Sequence, residues 1–270
     1  MPELPEVEVW RRLLQTWIGS DAIEEVAITD PDLLEPCARE EAAALLPNRS
    51  VEGLQRLGKC LLWDQPKRPT LGIHLRMTGG WVRSPPGAPP PPASRAQWRL
   101  ESGACIHFTD VRRLARWYWG GAEEVREAMG VHELGPDALA ELPSATALQE
   151  RMRRKRSLKS AMMDQRVLAG IGNIAASEIC FRARLSPWIR PSDMTEEQWG
   201  SIRTQIRCQL EESIARDEGA AIVYVSAGGD NPFAVYGREG EPCPTCSHPI
   251  ERRAQSGRST FFCPSCQGTG

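Results

Sequence analysis

EPCPTCSHPIERRAQSGRSTFFCPSC (residues 241–266) sets Cys243 and Cys246 two residues apart, then, after sixteen residues, Cys263 and Cys266 with the same gap. Each close pair can grip one side of a tetrahedral ion, and this spacing is that of a zinc site. Chance clustering and disulfides are the alternatives. The intervening IERRAQSGRSTFF reads as a β-hairpin turning near Gln255–Gly257. A tail of about 35 residues has no adequate core of its own, so metal supplies its fold, roughly 10–16 kcal/mol by finger-peptide precedent. Four thiolates leave no open position for a reacting water, which makes one structural zinc ion the expected cofactor and argues against a zinc-dependent hydrolase. What such an ion braces is the hairpin, and Arg258, just beyond Gly257, is the side chain presented there.

Upstream, from about 123 to 225, apolar residues recur at helical spacing. ATALQERMRR, SLKSAMMDQ, GNIAASEICFRARL and TEEQWGSIRTQIRCQLEESIARDEG suit amphipathic helices, with breaks at VLAGIG and LSPWIRPSD. SLKSAMMDQRVLAGIGNIAASEI outlines two helices joined by a glycine-bearing turn. The second begins beside Gly172 and Asn173, so its first amides are placed for an anion. SAGGDNPF (226–233) reads as a flexible connection. Residues 1–120 look β-rich instead: AIEEVAI, SVEGLQRL, CLLWDQ, LGIHLRM, WVR, QWRLES, ACIHFTD and ARWYW are short apolar or alternating runs between Gly, Pro and Asn clusters. VEVWRRLLQTWIG is the helical exception, and RSPPGAPPPPASRAQ is an exposed Pro-rich loop. The chain therefore divides as 1–122, 123–230 and 231–270: β, then α, then zinc.

At 270 residues, 41% hydrophobic and 25% charged, the composition is that of a globular protein of two or three units. No run approaches the roughly 18 apolar residues of a membrane span, and the acidic, Pro-rich start is wrong for a secretory signal, so a cytoplasmic protein is expected. Cys37, Cys60, Cys105, Cys180 and Cys208 read as reduced core thiols of a reducing compartment. A net charge of −2 hides an uneven distribution. Basic islands at 11–13, 56–59, 111–116 and 251–253 join RMRRKR (151–156), with five cations in six residues, and an acidic protein can still present one positive face.

The tip is MPELPEVE. Without Met1, Pro2 is a free secondary amine beside a carboxylate. An α-amino group has a pKa near 8, so about a fifth is neutral near pH 7.4, against about a thousandth of a lysine. Such an amine attacks an electrophilic sugar carbon without special burial and leaves an iminium adduct. Glu3 and Glu6 are in place to move protons as it forms and decays.

MPELPEVE, RLGK (56–59), HLRMTG (74–79), TDVRR (109–113), LGPD (134–137), AGIGNIAASE (169–178), VYGREGEPC (235–243) and the four-cysteine finger occur in order over essentially the whole chain. Together they resemble the formamidopyrimidine-DNA glycosylase / endonuclease VIII family, closer to the first branch. The resemblance implies an α+β multidomain fold: an N-terminal β-sandwich, a helix-two-turns-helix domain and a zinc-finger β-hairpin. It implies a monomer, nucleoid-associated if bacterial, acting on damaged double-stranded DNA with no membrane involved. The implied activity is that of a bifunctional glycosylase and abasic-site lyase of base-excision repair. Such an enzyme flips a damaged nucleotide out of the stack.

By the same resemblance Pro2 attacks C1′, Glu3 is the acid, Glu6 supports it, and β- and δ-elimination cut the strand. Lys59 contacts the lesion phosphate; Asn173 and Arg258 clamp phosphates, with His74 and Tyr236 as further phosphate contacts. Met77, Arg112 and Leu114 match the side chains that fill the gap left by the flipped base. Several positions depart from the formamidopyrimidine branch: Leu114 replaces phenylalanine, Val111 proline, Ala115 glycine and Ala175 tyrosine, and the 226–234 loop is short. Oxidised purines are the favoured substrates, oxidised pyrimidines or atypical lesions the alternative. A non-catalytic binder of damaged DNA is the reading from another class.

Overall fold

The structure is a computed structural model that describes residues 2–34, 36–49, 51–218 and 231–268, without the side chains of residues 36 and 37. Met1 and the part of the expected short loop up to residue 230 lie outside the described residues. The chain forms two compact units, one of residues 1–2 and 6–132, the other of residues 3–5 and 133–270.

α1 (Leu4–Gly19) begins in the second unit with Leu4 and Pro5 and runs through the first from Glu6, where Val7, Trp10, Leu14 and Ile18 are buried. β1 (Ile23–Ile28) follows, then α2 (Pro36–Leu45), which the sequence reading did not anticipate. β2 (Leu54–Leu57), β3 (Cys60–Trp63), β4 (Thr70–His74), β5 (Gly80–Ser84), β6 (Ser94–Leu100), β7 (Cys105–Thr109) and β8 (Arg116–Gly120) complete the strands, each overlapping a run expected to be β. But β6 starts at Ser94, inside the stretch read as an exposed Pro-rich loop, because Ala96 is buried and pairs with both β1 and β7. They form two four-stranded antiparallel sheets, β1-β6-β7-β5 and β2-β3-β4-β8. The core between them is aromatic. Trp63, Trp98, Trp117, Phe108, Trp81 and Trp10 follow one another with ring centroids 5.1 to 5.9 Å apart. Edge and tilted pairs of this kind add about 0.5–1.5 kcal/mol each beyond area burial. Short α3 (Ala122–Ala128) closes the unit's helices.

The second unit is helical: α4 (Ala145–Met152), α5 (Leu158–Met163), α6 (Asn173–Arg182) and α7 (Glu196–Asp217). Thr195 and Gln198 cap α7 reciprocally, each side-chain oxygen accepting the other's backbone N–H. The finger follows, with β9 (Glu251–Gln255) and β10 (Arg258–Phe262) joined through Ser256 and Gly257, both at positive φ, and then α8 (Pro264–Gln267). Two positive φ values in a two-residue loop make the I′ turn that suits the twist of a hairpin. Among the five cysteines outside the cluster, Cys60 and Cys180 are buried, and burial pushes both thiols up to about 12; Cys105 and Cys208 are half-buried.

Candidate functional site

The residues singled out in the sequence fall into two groups, one in each unit. In the second unit Glu3 is 2% exposed and sits on the first turn of α6. Its Oε2 accepts from the amides of Gly172 (3.0 Å) and Ala175 (3.1 Å), and its Oε1 from that of Ile174 (2.9 Å). A helix N-terminus offers unpaired N–H groups to an anion, and here the anion is the protein's own carboxylate. The Leu4 N–H donates to the Gly170 carbonyl at 3.2 Å. Both glycines of AGIGN are required by this approach. A Cβ on Gly172 would lie 2.1 Å from the Glu3 carboxyl, and one on Gly170, at φ +104°, 2.3 Å from Leu4.

Asn173, the first residue of α6, is nearly buried. Lys159 Nζ donates to its Oδ1 (2.6 Å) and to Thr260 Oγ1 on β10 (2.9 Å). The Asn173 amide nitrogen donates to the Ser259 carbonyl (2.9 Å) and reaches the Tyr236 hydroxyl at 3.5 Å. Burial, with the charge of Arg258, pushes the Lys159 ammonium down to about 8, against the pull of Glu3. Tyr236 is held from behind by the buried Glu178 carboxylate, which accepts from the amides of Ala234 (2.9 Å), Val235 (3.0 Å) and Tyr236 (2.9 Å). Its ring lies edge-on to Phe261, centroids 5.0 Å apart. Arg258 opens β10 and is exposed.

The four cysteine sulfurs of the finger all lie within 4.8 Å of one another, with Cys246–Cys263 at 3.4 Å and Cys243–Cys266 at 3.9 Å. Ligands about 2.3 Å from a tetrahedral zinc ion stand about 3.8 Å apart, so the set fits one ion with no open position.

In the first unit the β2–β3 turn, the β4–β5 connection and the β7–β8 connection lie at one end of the sandwich, as the antiparallel registers require. Lys59 is the second residue of a two-residue turn whose first, Gly58, has φ +57°; with φ negative at Lys59, this is the glycine-first II′ hairpin. The next residue, Cys60, pairs with His74 across β3–β4. His74 Nδ1 accepts the Arg76 amide hydrogen at 3.0 Å, which leaves the ring's own hydrogen on Nε2 as a donor. Burial, then the charges of Arg76 and Lys59, hold the His74 pKa down to about 4, so the ring is neutral at physiological pH. Arg76 takes φ +55° just before Met77, and Arg113 φ +54° just before Leu114. Arg112 and Leu114 are exposed, as is the neighbouring Val111 at 74%. Glu6 is half-buried on α1; two residues on, Glu8 is buried among Arg11, Arg12 and Arg56.

Sequence reasoning missed the supporting residues Glu8, Asp110, Lys159 and Glu178. On the page each is one more charge in a helix or a turn. TDVRR and AGIGNIAASE contain two of them, but nothing in the spacing says that the carboxylates point inward.

Comparison with known proteins matches residues 1–117 to the formamidopyrimidine-DNA glycosylase N-terminal domain, 134–224 to the H2TH domain of that enzyme, and 240–268 to a zinc finger found in FPG and IleRS. A formamidopyrimidine-DNA glycosylase of Thermus thermophilus is 37% identical over the full length of both chains, and one of Desulfitobacterium hafniense is 37% identical over 99% of this chain and 100% of its own. The crystal structure of the Thermus thermophilus MutM (Fpg) protein superposes with a TM-score of 0.81 at 36% identity, covering both chains fully. That of Lactococcus lactis Fpg with abasic-site DNA superposes with a TM-score of 0.84 at 26% identity, covering 98% of this chain and 99% of that one.

Proposed function

The chain belongs to the formamidopyrimidine-DNA glycosylase family, and we propose that it removes damaged bases from duplex DNA through Pro2. The glycosylase and abasic-site lyase activities of base-excision repair are those of the family. Once Met1 is removed, the Pro2 nitrogen attacks C1′ and gives up its proton, the bond from C1′ to the base breaks as the base takes a proton, and the C1′–O4′ bond opens as O4′ takes another from Glu3, leaving the iminium. The iminium so formed acidifies the C2′ hydrogens. β-elimination then expels the 3′ phosphate, and δ-elimination the 5′ phosphate, before hydrolysis frees the amine. Lys59 and Arg258 meet phosphates as charges, His74 and Tyr236 as neutral donors; Asn173 adds a donor by exchanging its bond to Ser259. Such contacts fix register without reading sequence. Met77, Arg112 and Leu114 fill the vacated stack. Zinc, held by Cys243, Cys246, Cys263 and Cys266, keeps the hairpin folded and takes no part in the chemistry.

The observation that supports this most is the seating of Glu3 on the α6 amides, since it fixes the carboxylate next to Pro2 in the chain. Borohydride trapping on abasic duplex tests it. A covalent adduct is expected with the mature protein and none with Pro2→Gly; full activity in protein that mass spectrometry shows to retain Met1 would overturn it. Oxidised purines are the proposed preference. Lactococcus lactis Fpg has been solved with Fapy-dG DNA and with oxidised-pyrimidine DNA, so one scaffold of this kind accommodates both. With Leu114 and Ala175 in place of aromatic side chains, a lesion panel decides: inactivity on 8-oxoguanine opposite cytosine removes the purine assignment.

A further inference from the structure

Asp110 is 1% exposed and carries more polar contacts than any surface loop needs. Its Oδ2 accepts the amide hydrogens of Leu114 and Ala115, both at 2.7 Å. Its Oδ1 accepts the amide hydrogen of Arg112 at 3.2 Å and the Thr78 hydroxyl. Thr78 Oγ1 in turn accepts from the same Arg112 amide at 3.2 Å. One carboxylate therefore joins the β4–β5 connection, through the residue after Met77, to the β7–β8 connection that carries Arg112 and Leu114.

The node is itself anchored. The Asp110 amide donates to the Ala93 carbonyl at 3.0 Å, and Arg95 Nε donates to the Asp110 carbonyl at 3.0 Å. Arg113 is held by Asp30 (2.8 and 3.0 Å) and Asp32 (2.9 Å). Of the three left-handed arginines among the described residues, two, Arg76 and Arg113, each immediately precede a gap-filling side chain. A non-glycine residue is uncommon in that region and stays there where its surroundings over-determine it, as the hydrogen bonds around Arg113 do.

We propose that Asp110, with Thr78, is a positioning residue that presets Met77, Arg112 and Leu114 as one rigid probe before DNA arrives. This rests on the reading that those three fill the space of the flipped base. A preordered probe enters the stack without having to order two loops at that moment, which is how preorganisation raises affinity and rate. The side-chain hydrogen bonds of Asp110 and Thr78 are spent within the two loops, so removal of the node should weaken steps that displace a stacked base and spare those that do not.

The test compares two substrates under single-turnover conditions: a lesion-bearing duplex and a single-stranded oligonucleotide with one abasic site. An amide at position 110 keeps one acceptor oxygen but turns its own hydrogens toward backbone N–H groups. Asp110→Asn should slow duplex excision about tenfold or more, the scale of losing hydrogen bonds to a charged group. Borohydride trapping on the single strand should stay within about twofold. Thr78→Val should show the same split more weakly, with Thr78→Ser restoring the duplex rate. 2-Aminopurine beside the lesion should lose its fluorescence rise in Asp110→Asn. Equal slowing on both substrates, or duplex excision by Asp110→Asn and Thr78→Val at the parent rate, overturns the proposal. Should Asp110→Asn fail to fold, Thr78→Val and Thr78→Ser carry the same comparison alone. The combined variant Met77→Ala, Arg112→Ala, Leu114→Ala tests the underlying reading separately: unchanged duplex excision there sinks the probe itself.

Discussion

Three buried carboxylates, Glu3, Asp110 and Glu178, each accept three backbone N–H groups, and in each case those amides belong to a segment that carries site residues. A short acidic side chain is the natural tool, since a carboxylate offers two oxygens and several lone pairs with no donor to misplace. At Glu3 the arrangement predicts the effect of one methyl group. Gly172→Ala puts a Cβ where the carboxyl stands, and the clash is with the group itself rather than with the far end of a flexible chain. Trapping on abasic DNA should fall about a hundredfold, the scale of a 1 Å misplacement, while melting and zinc content stay near the parent's. Parent-like trapping would show that the seat of Glu3 does not matter. Glu8 predicts a pH effect. Burial would raise its pKa, but Arg11, Arg12 and Arg56 outweigh it and hold the carboxyl down to about 2, against 4.5 for an unperturbed glutamate. The folded state then binds fewer protons than the unfolded chain between those values. The stability due to Glu8 is complete above about pH 4.5 and drains away as pH falls toward 2. In urea unfolding from pH 6 to 2, the parent should lose stability more steeply than Glu8→Gln over that window; parallel curves would refute the pairing.

At the level of elements, the finger predicts its own dependence on metal. With only Phe181, Val235, Ile250 and Phe261 clustered beside its cysteines and Phe262 packed on Trp188, the hairpin has a small core and should unfold when a chelator strips the ion. Trp188, edge-on to Phe262 at 4.7 Å, is a built-in reporter of that step, whereas the tryptophan core of the first unit should keep its near-ultraviolet circular dichroism. Lesion-duplex affinity should fall at least about tenfold as the Arg258 contact goes. A stripped protein that binds lesion DNA normally would contradict the bracing role. The hairpin, its turn at Gln255–Gly257 and the eight strands were legible in sequence because their signals are local: alternation, paired cysteines, a glycine where φ is positive. α2 was not. PCAREEAAAL starts on proline, carries weak apolar periodicity and sits between strands, so its helical state rests on packing against β1 and β8. Glu3 was legible as an acid near an amine, but its seat lies 169 residues away at Gly172, a distance no local pattern spans. Lys159, Asp110 and Glu178 escaped for the same reason: a charge in a helix or turn looks solvated until the fold shows where it points.

For the whole molecule, a net charge of −2 has to be reconciled with a polyanionic partner. Many of the cations are already committed to carboxylates, as Arg113 is to Asp30, Arg99 to Glu24 and Glu25, and Arg182 to Glu212. Sequence charge therefore says little about how many phosphates are neutralised, and the salt dependence of binding is the direct measure. Each phosphate met by a cation releases counterions and adds about 0.9 to the slope of log affinity against log salt on duplex DNA, while a neutral donor adds affinity without slope. His74 and Lys59 separate the two cases at one end of the sandwich. With its pKa held down to about 4, His74 is uncharged from pH 6 to 8 and donates only through Nε2. Lys59→Ala should flatten the slope by about 0.9, whereas His74→Ala should weaken binding by a roughly constant factor at every salt concentration. Lowering the pH from 7.5 to 5.5 should leave the His74 contribution unchanged, because the ring stays neutral over that range. A slope that falls in His74→Ala, or a parent slope that steepens between those pH values only when His74 is present, would mean that the ring meets its phosphate as a cation.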